Sequence, residues 1–148
     1  MRPRIMAKLM DLSYLITPFA AWLITGCSKF AINSLRARRL AFDLIGYGGM
    51  PSNHSAIVGS MVTLIALREG IGHPAFGVAL TLAYIVFLDA NSLRRQVGLQ
   101  AERLNCLSAE QPLLRERIGH SRLEIAVGLM VGGVMAWLIH AYRPLFGG

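Results

Sequence analysis

Four stretches of this 148-residue chain contain no Asp, Glu, Lys or Arg: residues 12–28, 44–67, 70–88 and 125–142, of 17, 24, 19 and 18 residues. A helix that crosses the hydrocarbon core of a bilayer needs roughly 20 mostly apolar residues, within about 17–25, and a charge at that depth is expensive. The windows therefore predict membrane helices. The second gives up its start to the turn Gly48-Gly-Met-Pro51, so Ala56–Leu67 alone is too short to span. A soluble bundle of unusually apolar helices is the alternative, and the window lengths weigh against it, as do 54% hydrophobic and only 16% charged residues. The expected fold is all-α: an integral-membrane helical bundle of about four transmembrane helices, one domain over residues 1–148. Leu93, Val97, Ala101 and Leu104 recur at three- and four-residue steps and add an amphipathic helix over 91–107, against the bundle or along the membrane surface.

The net charge of +7 sits between the apolar windows, with few aromatic residues among the basic ones. That arrangement suits anionic lipid headgroups or a phosphorylated ligand and argues against nucleic acid. Cys27 and Cys106 are too few for a disulfide framework, and no C-x-x-C or H-E-x-x-H pattern occurs, so neither a metal nor another cofactor is expected. The basic N-terminus (Arg2, Arg4, Lys8) before an apolar run ending at Cys27 has the outline of a signal peptide with a lipoprotein-type cleavage site. Asp11, Pro18 and the three later windows favour an uncleaved first membrane helix instead.

Four clusters carry chemistry. Lys29 and Arg36 are seven residues apart, two helical turns, and so share a helix face; they read either as a juxtamembrane basic cluster or as a grip on a phosphate. In Gly48-Gly-Met-Pro-Ser52-Asn53-His54-Ser-Ala56, a turn feeds a helix start with Ser52 or Asn53 as N-cap. The free N–H groups there favour an anion, and His54 beside them is placed to protonate a leaving group. Asp89 ends the third window, with Arg94 and Arg95 five and six residues on as ion-pair partners. His120 and Glu124 are four apart, so the carboxylate can accept the ring N–H and raise the nucleophilicity of the other nitrogen. His73 and His140 read as turn and interfacial residues, and Gly128-x-x-x-Gly132 as a close-packing motif.

Taken in order, Lys29-x6-Arg36, Pro51-Ser-Asn-His54 and His120-x3-Glu124 resemble the type 2 phosphatidic acid phosphatase superfamily, which includes the vanadium haloperoxidases and carries K-x6-R-P, P-S-G-H and S-R-x5-H-x3-D. More specifically the chain is similar to the small membrane branch described as acid phosphatase/vanadium-dependent haloperoxidase-related. That branch has G-G-M-P-S-S-H-S-A, D-A-x-G-V-R-R-x-x-G-x-Q-A-x-x-L-N and L-G-H, standing here as Gly48–Ala56, Asp89–Asn105 and Ile118-Gly-His120. The resemblance implies a metal-free phosphohydrolase working through a phosphohistidine. His120 would be the nucleophile, Glu124 its orienting carboxylate and His54 the general acid. Lys29, Arg36, Ser52, Asn53 and the Arg94–Arg95 pair would hold phosphate, with Asp89 orienting one arginine. Four positions depart from the superfamily pattern: Ala37 for proline, Asn53 for glycine, Glu124 for aspartate, and Leu114 where an arginine is expected, with Arg115 one residue late as the fallback ligand.

The expected substrate is a lipid or prenyl (isoprenoid) phosphate, with membrane lipids as the other partners. A non-catalytic membrane protein that binds anionic lipid or supports a membrane complex is the alternative, and a haloperoxidase a remote third. Ten of the fifteen Lys and Arg residues fall in segments on the side of Lys29 and His120. The positive-inside rule then puts the site on the cytoplasmic face, in what would be a bacterial inner membrane, although the basic N-terminus pulls the other way.

Overall fold

A computed structural model describes residues 12–42, 49–107, 114–116 and 118–142. Gly48, the basic N-terminal residues with Asp11, and Arg117 and Arg143 lie outside them. The described elements are helices: α1 (Ser13–Ala37), α2 (Asn53–Arg68), α3 (Pro74–Leu88), α4 (Arg94–Leu107) and α5 (Arg122–Ala141). A π-helical turn, Asp89–Leu93, joins α3 to α4 without a break, so Pro74–Leu107 is one continuous helical rod of 34 residues. The amphipathic segment expected over 91–107 is thus the extension of the third span and not a separate surface helix.

Among the described residues three helices are long and apolar enough to cross a membrane: Ser13–Ala37, Pro74–Leu107 and Arg122–Ala141. The shorter α2 has 16 residues because Gly49, Met50 and Pro51 take the beginning of its window. At 1.5 Å per residue it is about 24 Å long, under the roughly 30 Å of a hydrocarbon core.

The distribution of side chains is that of a membrane bundle. On α1 the buried stripe is Ser13, Thr17, Ala21 and Thr25, whereas Leu15, Phe19, Trp22 and Leu23 point outward. On α5 Gly128, Gly132 and Ala136 are buried, whereas Met130, Val134 and Trp137 are exposed. Water would force the reverse arrangement. In lipid, large apolar groups gain nothing by turning inward, and small residues let helices approach closely. The threonine hydroxyls on the buried stripe are satisfied locally: Thr17 donates to the Ser13 carbonyl at 2.6 Å, and Thr25 donates to the Ala21 carbonyl.

α2 is the centre of the bundle, packed against α1, α3 and, most extensively, α5. A Cβ on Gly132 would overlap the Ala56 carbonyl oxygen, and one on Gly128 would overlap that of Ser52. The two glycines are thus what allows α5 to lie on the first turns of α2.

Candidate active site

The closeness of α2 and α5 places two chain segments at the same end of the bundle. The Ser52 N–H donates to the main-chain oxygen of Glu124 at 3.1 Å, tying the start of α2 to the start of α5. Ser52 is the N-cap of α2: its hydroxyl oxygen accepts from the Ser55 N–H at 3.4 Å and from the Ser55 hydroxyl at 3.0 Å, which leaves its own O–H as a donor.

Glu124 does three things at once. With Ser121 it forms a capping box at the start of α5, accepting from the Ser121 N–H at 3.0 Å while its own N–H donates to the Ser121 hydroxyl at 3.2 Å. The same carboxylate oxygen stands 3.1 Å from Nδ1 of His120. A carboxylate accepts only, so the pair places the ring proton on Nδ1 and leaves a lone pair on Nε2. The carboxylate cannot swing away from the imidazole without giving up the helix cap. The capping box is legible as Ser121-x-x-Glu124 ahead of an apolar run, a signal the His–Glu spacing overshadows.

A second anchor for His120 comes from the π turn. In an α-helix the Arg94 N–H would take the Ala90 carbonyl, but here it bonds to Asp89, five residues back. The freed Ala90 carbonyl accepts the main-chain N–H of His120 at 3.1 Å. The chain reaches this point by running back along α4. Asn105 holds the main chain of Leu114 through two bonds of 2.8 Å, Gly98 leaves room for the Glu116 carbonyl, and Gly119 sits against the Arg95 backbone, where a Cβ would come within 3.2 Å of the amide nitrogen. The functional part of Ala90 is its main-chain carbonyl, and no residue-type pattern announces a π turn.

Around His120 the charges are few and specific. The side chain is buried, 5% exposed, and burial is the main reason its pKa lies below the ordinary histidine value; the Lys29 and Arg94 charges add to the lowering, and the bond to Glu124 opposes it. The His54 ring lies 6.1 Å away, centroid to centroid, tilted by 58°, too far to bond to His120 and near enough for both to reach one small group between them. Its Nδ1 is buried with no hydrogen-bond partner among the described residues. Lys29, half-buried on α1, acts electrostatically on both histidines, as does Arg94. The Nε of Arg94 donates to Asp89 at 2.6 Å, which fixes the guanidinium plane and leaves its outer nitrogens available.

The structure therefore brings together His120, Glu124, His54, Lys29, Arg94, Asp89 and Ser52. Others in the expected set go elsewhere. Arg36 is exposed in the last turn of α1 and is not among the charges acting on either histidine. Its seven-residue spacing from Lys29 keeps the face but moves it about 10 Å along the axis. Arg95 is exposed and lines, with Asn91, Glu102, Glu116 and Arg122, a polar cavity of about 630 Å³ that opens at His120. Arg115 is exposed in the loop before it. Asn53 lines a different cavity, an apolar one against α1.

The sequence matches the Divergent PAP2 family over residues 10–135. The chain belongs to that family. It is also 30% identical to "Uncharacterized membrane protein YuiD" of Bacillus subtilis (strain 168), over 86% of this chain and 93% of the relative. No solved structure matches it. The family assignment agrees with the branch that the Gly48–Ala56 and Asp89–Asn105 motifs point to, and with an integral membrane protein. The Divergent PAP2 match spans the start of α2, the π turn and the start of α5, and so contains every residue of the cluster at His120.

Proposed function

We propose that this protein is a membrane phosphatase that hydrolyses a lipid or isoprenoid phosphate through a phosphohistidine, without a metal ion. The observation that carries the reading is the Glu124–His120 pair facing His54 under the charges of Lys29 and Arg94. In the first step His120 Nε2 attacks phosphorus, the bond from phosphorus to the substrate's alkyl oxygen breaks, and His54 gives its proton to the departing oxygen. In the second, water attacks the phosphohistidine and His54 takes the proton back, which releases inorganic phosphate and restores both histidines. Lys29, Arg94, the Ser52 hydroxyl and the N–H groups at the start of α2 supply the positive field that such a transfer requires, since phosphoryl transfer depends mostly on positioning and charge stabilisation. The excess of basic residues on this side of the bundle supports a cytoplasmic site in a bacterial inner membrane.

The test is phosphate release by the purified protein from a panel of lipid and prenyl mono- and diphosphates. Release from none of them, together with absence of specific vanadate binding, would favour the non-catalytic reading in which the protein only binds anionic lipid. The displaced Arg36 is the observation on that side.

Two predictions separate the roles. Arg94→Ala is expected to lower kcat/KM by about 10²–10³-fold, the scale for removing one charge-stabilising group, and Arg95→Ala by less than about tenfold. Steady-state kinetics on one ester decides between them. The second concerns pH. His120 attacks only when neutral, so activity is present above its pKa and is lost as pH falls through it. Because burial holds that pKa down, the acid limb of kcat/KM is expected below about pH 6.5, the ordinary histidine value. Lys29→Met removes a charge that disfavours the imidazolium, so the limb is expected to move to higher pH.

A further inference from the structure

Gly26 is a glycine that the fold does not require. It lies in the middle of α1, where glycine weakens a helix relative to alanine. The nearest atom to a Cβ built there is the Asn53 side-chain nitrogen, at 3.8 Å, an ordinary contact. This is unlike Gly128 and Gly132, whose places are taken by the backbone of α2. What Gly26 does is floor an apolar cavity of about 520 Å³, walled by Trp22, Cys27 and Phe30 of α1, by Phe42 and by Asn53.

The lining is apolar apart from Asn53 and the Cys27 thiol, and Asn53 stands against Gly26, midway between Trp22 and Phe30. Two of its wall residues are chain neighbours of site residues: Phe30 follows Lys29 and Asn53 precedes His54. The Asn53 side-chain oxygen is buried with no hydrogen-bond partner among the described residues. The Phe30 and Phe42 rings, 5.1 Å apart, stand together at one end of the groove. From Phe30 the groove follows α1 for eight residues, about 12 Å, to Trp22, half-exposed on the lipid-facing side.

We propose that this groove holds the single apolar chain of the substrate's leaving alcohol. The proposal rests on the phosphatase reading above and narrows it to a phosphate ester of one long unbranched or prenyl chain. In-line displacement sets the leaving oxygen opposite His120, on the side where His54 protonates it. The chain attached to that oxygen then continues past Asn53 into the groove, and the unpartnered Asn53 oxygen accepts the O–H of the alcohol once it is released. A substrate already in the bilayer enters laterally at Trp22.

The two cysteines provide a test that needs no turnover. Cys27 lines the groove, while Cys106 is exposed near the end of α4 and serves as internal control. In the detergent-solubilised full chain, a farnesyl-length monophosphate is expected to slow maleimide labelling of Cys27 several-fold and leave Cys106 unchanged, in wild type and in His120→Ala alike. Butyl phosphate and inorganic phosphate are expected to protect neither. Gly26→Leu, which fills the groove from a position with room for a Cβ, is expected to abolish the protection and to raise KM for the long-chain ester about tenfold or more, and KM for butyl phosphate by much less. Equal protection by a fatty-acid methyl ester of the same length, which carries neither phosphate nor hydroxyl, would mean that the groove holds only bilayer lipid. Equal protection by a diacyl phosphate would overturn the single-chain assignment. Absence of protection, with long and short esters cleaved at the same KM, would sink the groove and leave the phosphatase standing. Protection without phosphate release from any ester would do the opposite.

Discussion

His120→Ala is expected to reduce phosphate release at least about 10³-fold, with the protein still folded, because it removes the proposed nucleophile. The fold should tolerate the change. The tie between His120 and Ala90 is made by the main-chain N–H, which alanine keeps, and Glu124 retains its capping partner Ser121 when the imidazole is gone. Circular dichroism and thermal unfolding in detergent should therefore match wild type. A complementary variant makes the role specific. With an activated aryl phosphate the leaving group needs little protonation, so His54→Ala still permits the first step while slowing the attack of water. Radiolabelled phosphate should then accumulate on the protein in an acid-labile, base-stable bond that maps to His120. Wild-type rates in His120→Ala, or label on another residue, would end the phosphohistidine mechanism.

The second large effect is structural. Gly132→Leu is expected to destabilise the bundle by about 1–3 kcal/mol, the usual range for overpacking, and to lower activity by displacing α5. Its neighbour provides the control. A Cβ at Gly133 meets only the Thr63 hydroxyl, at 3.6 Å, an ordinary contact, so Gly133→Ala should be close to neutral while Gly132→Ala is already costly. Reversible unfolding in mixed micelles measures the difference. Equal effects at 132 and 133 would mean that α5 does not pack on α2 through the glycine face. Activity follows packing here because α2 and α5 meet next to Ser52 and Glu124, so a spacer between the helices also parts His54 from His120.

Much of the fold and the core of the site are legible in the amino-acid order alone. Charge-free windows state where hydrocarbon is, since a charge at depth costs too much to be placed there by chance, and they locate the membrane helices within a few residues. The four-residue spacing of His120 and Glu124 announces that pair, although His120 stands ahead of the N-cap Ser121 and the capping box, not a helical turn, brings the two side chains together. The order of Lys29, His54 and His120 carries the family. What one dimension does not supply is the destination of residues on different elements. Arg36 shares a face with Lys29 yet ends too far up the helix, and Arg94 and Arg95, adjacent in the chain, point to different surroundings because neighbours on a helix are turned about 100° apart, while the π turn before them frees the Ala90 carbonyl for His120. That turn depends on which donor takes the Ala90 carbonyl, a contest between Arg94 and the distant His120 that only the packed chain decides. The glycines divide in the same way: their letters are identical, and only the neighbouring backbone tells that Gly132 is needed for packing and Gly26 is not.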